Sequence, residues 1–316
     1  MPFSLCALDV EGGSRVEEDT ARQNNNRGMA LVLTLMVVTL ITAMVVEFAY
    51  GVYVSTSALH NWQTSQQLSL AARSATQLAT RLIVEQKTLT PNYPGVFENS
   101  QTIPFEELEG TISIRIEDEN ARFNINTLVP ANGIVDKDKG AYPSFIRLLN
   151  AVNLKPEIAA RIVDWIDPDS IPTIQGAEDG AKNGPLDSID ELLAIPGIEP
   201  EAFERLQPYV TIYTSGQVNI NSASVPVLMS LSDAIDRKMA ENIARYREIT
   251  PFEKIQDIFK VGTGLDTAGM FLMSHTTNSN TFRIVATATS GDIKRIIESV
   301  VFISGSSRTV LYWKEY

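Results

Sequence analysis

The sequence predicts an α+β fold in which a long N-terminal helix packs on a small antiparallel sheet and a large helical domain is inserted between strands. Three observations carry it. Eighteen uncharged residues, Met29 to Val46 (MALVLTLMVVTLITAMVV), open a stretch with no proline before Pro91. Segments alternating apolar and polar residues fall in two sets, Thr111–Glu117 and Arg122–Asn126 early, then Thr281–Thr289, Ile293–Ile303 and Thr309–Trp313 late. Between the two sets the chain reads as helical.

The helix comes first. At a rise of about 1.5 Å per residue its apolar run reaches roughly 27 Å, close to the hydrocarbon thickness of a bilayer. Arg27 directly before it predicts a cytoplasmic N-terminus, with everything after Phe48 across the membrane. From Glu47 to Gln86 apolar residues keep helical spacing, and Leu68, Ala71, Ala72, Ala75, Leu78, Ala79 and Leu82 form one stripe. Its small residues allow a sheet to approach closely. The expected division is residues 1–28 before the helix, 29–90 for the helix with 29–48 in the membrane, 91–127 with 279–316 for the sheet, and 128–278 for the insert.

Within the insert, Pro143–Asn150, Lys155–Trp165, Ser188–Ala194, Pro200–Leu206 and Ala240–Glu248 are short amphipathic segments. Two stretches look alike. Asn124-Ile125-Asn126-Thr127 precedes helices reaching Ile158-Ala159-Ala160-Arg161-Ile162, and Asn219-Ile220-Asn221-Ser222 precedes helices reaching Asn242-Ile243-Ala244-Arg245-Tyr246. A duplicated helical unit accounts for both. Asn followed by Thr or Ser also suits a helix start, because its side-chain oxygen satisfies a free backbone donor.

Composition narrows the function. With 38 acidic and 26 basic residues the chain is strongly acidic, which opposes binding to phosphate backbones. The only cysteine, Cys6, precedes the apolar run, so no disulfide or thiolate chemistry is expected beyond it. His60 lies on the long helix and His275 in a Ser/Thr/Asn-rich loop, neither with a partner in view. No nucleophile elbow, phosphate loop or zinc spacing occurs, and no enzyme is expected.

Two constellations remain. Asp164, Asp167, Asp169, Glu178 and Asp179 gather five carboxylates in sixteen residues interrupted by Pro168, Pro172 and Gly176. Such a loop can wrap a hard cation such as calcium, which takes six to eight oxygens in flexible geometry. Uncompensated, the carboxylates repel one another; the alternative is a solvated acidic loop where that repulsion is screened. The spacing is not that of an EF-hand, and Val135–Gly140 reads as a turn. The second constellation, Glu191–Ile198 (ELLAIPGI) and the helix to Leu206, resembles a helix-hairpin-helix, faintly echoed at Phe259-Lys260-Val261-Gly262. Phosphate-binding hairpins need cations, whereas here Glu191, Glu199, Glu201 and Glu204 outnumber Arg205. It reads as a packing module, with a membrane-anchored helix-hairpin-helix DNA-binding or uptake protein as the alternative class.

The junction Arg27-Gly28-Met29-Ala30-Leu31 resembles the processing site of type IV prepilins and type II secretion pseudopilins, cut after the glycine by prepilin peptidase; the plain alternative is a signal anchor. Residues 1–28 would then be a leader and Met29 the first, N-methylated, mature residue. Removing five acids and three bases leaves a mature chain at minus ten. The fifth mature residue is Leu33, where most pilins carry glutamate. Phe123-Asn124-Ile125-Asn126, Asp164-Trp165-Ile166-Asp167-Pro168-Asp169, Gly176-Ala177-Glu178-Asp179 and Asn219-Ile220-Asn221 follow in the order found in the type II secretion minor pseudopilin K (GspK) family. The family usually has an aromatic pair after Gly-Ala-Glu-Asp; here Gly180-Ala181-Lys182 follow.

That resemblance implies a type IV pilin-like helix and sheet with a SAM- or helix-hairpin-helix-like insert, anchored in the inner membrane by one pass with its C-terminal domain in the periplasm. It also implies calcium at the acidic loop, assembly with minor pseudopilins I and J and the major pseudopilin, and no nucleic acid. Lacking the glutamate that meets the subunit above, a chain with Leu33 fits the tip of the periplasmic pseudopilus, where it would support protein export.

Overall fold

The computed structural model describes residues 13–89, 101–105, 110–176, 180–261 and 275–316. The chain forms two compact units, Met1–Gln63 and Thr64–Tyr316, and helix α1 (Gly13–Leu89) contributes to both. In the first unit every described side chain from Gly28 to Thr56 is exposed, and an 18-residue window reaches a mean hydropathy of 2.7. So continuous an apolar surface calls for an apolar surround. The few hydroxyls in it are satisfied within the helix: Thr34, Thr39 and Thr42 donate to the carbonyls of Leu31, Met36 and Val38.

The second unit is built on a five-stranded antiparallel sheet, β1 (Gln101–Phe105), β2 (Gly110–Asp118), β7 (Thr281–Ser290), β8 (Ile293–Ser304) and β9 (Ser307–Glu315), in that spatial order. One face receives α1. Leu68, Ala71, Ala72 and Ala75 pack on Ala286, Ala288 and Ile297, while Ala79 and Ile83 pack on Ile116, Phe282, Ile284, Val301 and Ile303. Alanines on both helix and strand remove the side-chain layer that would otherwise hold the two backbones apart. Glu315 ties the outer strand to the helix, accepting from Ser69 at 2.5 Å and from Arg73 at 2.8 Å. Leu78 and Leu82, placed in the stripe by spacing, are each 47% exposed; the sheet covers only the Leu68–Ala75–Ile83 side.

Everything between β2 and β7 is the insert. It contains α2 (Ala141–Ala151), α3 (Glu157–Ile166), α4 (Pro200–Leu206), α5 (Val225–Ser230) and α6 (Arg237–Ile249), with 3-10 turns at Ile189–Ala194 and Ile255–Lys260. Two parallel two-residue strand pairs close it: β3 (Phe123–Asn124) with β4 (Val210–Thr211), and β5 (Val218–Asn219) with β6 (His275–Thr276). The alternation at Arg122–Asn126 therefore does not yield a strand of the main sheet. Asn124 takes the Asn126 amide on its own side chain, and the chain turns into a 3-10 helix, Ile125–Leu128. One continuous core, with Phe123, Phe145, Leu148, Ile162, Leu192, Val227, Ile243 and Phe252 at its centre, runs through the insert.

Candidate cation loop in a tandem helical repeat

The insert is two copies of one device. In each, the first Asn of an Asn-Ile-Asn accepts the amide two residues on: Asn126 N–H donates to Asn124 Oδ1 and Asn221 N–H to Asn219 Oδ1, both at 2.9 Å. The second Asn then clamps a distant residue from both sides. Asn126 receives the Leu186 N–H and donates to the Leu186 carbonyl, at 2.8 and 3.0 Å. Asn221 treats Phe252 the same way, at 2.8 and 2.9 Å. Five residues after each clamped residue the correspondence persists. Glu191 accepts from the Asp187 and Ser188 amides, as Asp257 does from those of Glu253 and Lys254. Pro185-Leu186-Asp187 and Pro251-Phe252-Glu253 are thus equivalent turns.

The copies differ at one place. Only five residues, Thr250–Lys254, join α6 to its 3-10 turn, whereas residues 167–188 join α3 to its own. The acidic loop is that extra length. Asp164 sits on the last turn of α3 with 0% exposure; its Oδ2 accepts the amides of Thr173 at 2.8 Å and Ile174 at 3.1 Å. Its Oδ1 is buried without a hydrogen-bond partner. Burial, and after it the Asp164 charge, pushes the Tyr142 hydroxyl above its ordinary value. Asp167, at the helix C-cap, is 7% exposed, and the loop returns to α3 where Asn183 N–H donates to the Trp165 carbonyl.

Asp169 stands apart from this pair. It is exposed and accepts the Ile171 amide at 2.8 Å, a local turn. Glu178 and Asp179 lie outside the described residues, and among the described residues no three metal-ligating side chains converge. The cation of the loop, Lys182, is engaged with Asp187 at 2.6 Å and Glu191 at 3.0 Å, so it does not neutralise Asp164. A buried carboxylate oxygen with no donor costs several kcal/mol unless a proton or a cation meets it. The orphaned Asp164 Oδ1 is the feature of the described loop that a hard cation would meet. Val135–Gly140 is a turn, with Asp136 accepting from the Asp138 and Lys139 amides.

The hairpin at Ile195-Pro196-Gly197 is closed from within. Arg161 donates to the Pro196 carbonyl at 2.9 Å, and Gly197, at φ 86°, faces that guanidinium so closely that a Cβ would lie 2.7 Å from Cζ. The nearest basic side chain is thus committed to the protein itself. Glu199, Glu201 and Glu204 are exposed around it.

Comparison with known proteins matches these two copies separately. A family model described as "Type II secretion system (T2SS), protein K" covers residues 121–215 and one described as "Helix-hairpin-helix motif" covers 214–265. The type II secretion system protein K of Pseudomonas aeruginosa is 27% identical over 303 residues, 88% of this chain and 89% of that one. Along most of its length the chain is similar to the type II secretion system protein K family. The family's Klebsiella pneumoniae member is 29% identical over 63% of this chain and 67% of its own length. In fold, the chain matches a chain of the crystal structure of the GspK-GspI-GspJ complex from enterotoxigenic Escherichia coli, with a TM-score of 0.61, 20% identity, and coverage of 80% of this chain and 98% of that one. The helix-hairpin-helix match falls on the second copy, where the sequence showed only an echo, and not on Glu191–Ile198. Short helices, a clamped turn and a 3-10 step are common to both copies, so the motif describes the shared scaffold.

The residues expected to take part in processing and assembly, Gly28, Met29 and Leu33, lie on α1. Gly28 has open space around its Cα, and Met29 and Leu33 are 68% and 62% exposed. Sequence reasoning overlooked the buried tripeptide Asp118-Glu119-Asn120 at the end of β2. Its signal was three consecutive polar residues closing an alternating strand, which resembles an ordinary turn.

Proposed function

We propose that this chain is a minor pseudopilin placed at the tip of the periplasmic pseudopilus, anchored in the inner membrane before assembly and serving protein export rather than catalysis. The observation that carries the reading is Leu33 in an otherwise pilin-like N-terminal helix. A carboxylate at that depth is costly in hydrocarbon and is retained only where a cation meets it. A subunit without one has no charge to offer a subunit above, and the helical insert adds bulk that suits an end position. Prepilin peptidase would cut between Gly28 and Met29. The expected companions are the minor pseudopilins I and J, as in the solved complex that this fold matches, with the major pseudopilin below.

Site-directed crosslinking from α1 in cells with an intact secretion system tests the placement. Crosslinks to I and J, with an N-methylated Met29 in the mature chain by mass spectrometry, are expected; crosslinks chiefly to further copies of this chain would refute the tip position.

Calcium is part of the same reading. Asp164 and Asp167 are the described residues that would hold the ion, with Glu178 and Asp179 as further carboxylates of the loop. A bound divalent cation would offset the buried Asp164 charge and pin the long connection to α3. The full chain should melt higher in calcium than in chelator, and Asp164→Asn with Glu178→Gln should abolish the difference. An unchanged melting temperature on chelation of the unsubstituted protein would defeat the calcium assignment.

A further inference from the structure

The insert leaves the sheet after Asp118 and returns at Thr281, and three consecutive side chains at that neck are almost wholly buried: Asp118, Glu119 and Asn120 at 3%, 0% and 1% exposure. Each grips a different part of the chain. Asp118 Oδ2 accepts from the hydroxyls of Ser222 and Ser279 and from Asn219 Nδ2 at 3.3 Å, while Oδ1 accepts the Asn120 amide at 2.8 Å. Glu119 Oε1 takes Arg122 at 2.8 Å and Arg283 at 2.6 Å, and its Oε2 takes the Thr211 hydroxyl. Asn120 Oδ1 accepts the amides of Asn280 and Thr281 at 3.0 Å, and its Nδ2 donates to the Gln217 carbonyl at 3.2 Å. One tripeptide thereby holds the end of the first repeat, the link between repeats, the start of the second, and the strand by which the chain returns.

We propose that Asp118 is the positioning residue that fixes the helical insert on the sheet, acting through this buried clasp. Among the three, Asp118 alone joins the second repeat to both β2 and the return strand, and its charge acts on Lys87 at the end of α1, which donates to the Ser279 carbonyl. Glu119, by contrast, is neutralised by two arginines. The groups around Asp118 are otherwise uncharged (Asn219 and Ser222 from the insert, Ser279 from the return strand, the Asn120 amide), with Arg115, Glu117 and Arg122 across a cavity of about 430 Å³ beside it.

Burial holds the Asp118 carboxyl above the ordinary carboxylate range against the opposing pull of its four donors. Opening the neck hydrates that carboxyl and lets it ionise at its ordinary value. The clasp is therefore tightest below the ordinary carboxylate range and loosens as pH rises through the raised folded value. Its relevance to a tip subunit rests on the proposed function, but the clasp is a property of the single chain.

Amide hydrogen exchange of the full chain in detergent, corrected for intrinsic rates between pH 4 and 8, measures it. Protection at residues 220–222 and 280–281, relative to strand residues 284–287, should fall by up to tenfold per pH unit through the Asp118 titration and then level off. Asp118→Asn, uncharged and of the same shape, should abolish the fall with rising pH, leaving only the opposite change below about pH 6.5 that His275, on the strand paired with Val218–Asn219, contributes. Ser222→Ala, which removes one donor at the margin, should move the profile to higher pH, and Lys87→Gln should leave a pH-dependent profile in place. A fall with rising pH that survives in Asp118→Asn, or that vanishes in Lys87→Gln, would overturn the assignment. Because the crosslinking experiment reads placement and this one reads neck opening, either can fail without the other.

Discussion

Replacing Asn221 by alanine should be among the most damaging single changes in the insert, and the structure says how damaging. Asn221 is 2% exposed; its side chain accepts the Phe252 amide at 2.8 Å and donates to the carbonyls of Phe252 at 2.9 Å and Thr277 at 3.0 Å. Alanine leaves those three backbone groups without these partners in a site too enclosed for ready hydration. At about 1 to 3 kcal/mol for each stranded buried group, offset by no longer burying the amide itself, the net loss is about 3 to 5 kcal/mol. Asn126→Ala is the internal comparison, since Asn126 makes only two such bonds and is half-buried, for a loss of about 1 to 3 kcal/mol. With melting temperatures moving about 2 to 4 °C per kcal/mol for a domain of this size, Asn221→Ala should lower Tm by about 10 °C and Asn126→Ala by about half that. Thermal denaturation of the full chain followed by circular dichroism reads both. Equal shifts, or a larger one for Asn126→Ala, would refute the argument from burial and from the additional bond to Thr277.

Two further outcomes follow from packing and charge. Ala72→Leu forces three extra carbons into the contact with Ala286 and Ala288, where exposure is 0% on both sides; a loss of about 1 to 3 kcal/mol is expected in chemical denaturation, and a neutral result would mean the helix rides higher on the sheet than described. Burial pushes the His275 imidazole down to about 4, so it stays neutral in the folded chain while an unfolded histidine protonates near pH 6.5; its contribution is complete above that pH and is lost as pH falls towards 4, at most about 3 kcal/mol. Melting at pH 7 and 4.5 should show His275→Gln with a smaller acid loss than the unsubstituted chain, and an identical loss in both would exclude this source.

How much of this the sequence disclosed depended on whether a local pattern decided the structure. Alternation located β2, β7 and β8, whose inward residues pack on the helix, and also the exposed edge strand β9, while helical spacing located α2, α3, α4 and α6. β1 escaped notice because it is five residues long and contains Pro104, and α5 because six residues containing Pro226 show too little period. The Arg122–Asn126 alternation misled because asparagine side chains compete with a ladder for backbone amides. In the acidic loop, the order of carboxylates on the page said nothing of their inequality. Asp164 ends a helix whose apolar face carries it inward, while Asp169, five residues on, lies past Pro168 in solvent. The duplication was visible at its Asn-Ile-Asn starts and in the helices at Ile158–Ile162 and Asn242–Tyr246, but not in the clamped turns, which the loop of residues 167–188 pushes out of step.

From the sheet's side, the insert is the turn of a β-hairpin. Asp118 faces Phe282 across an antiparallel register that continues unbroken to Thr111 and Thr289, so 163 residues intervene between two paired positions. For a flexible chain, closing a loop of that length rather than a four-residue turn adds only about 3 kcal/mol, because the entropy grows with the logarithm of length. The insert lowers even that figure by being folded and by bringing its own ends together. The β2–β7 ladder itself is made by the sheet's own residues, so a different insert could stand in this one's place, in nature or by design, provided it presents its two ends side by side and supplies partners for the buried Asp118 that Asn219 and Ser222 now hold.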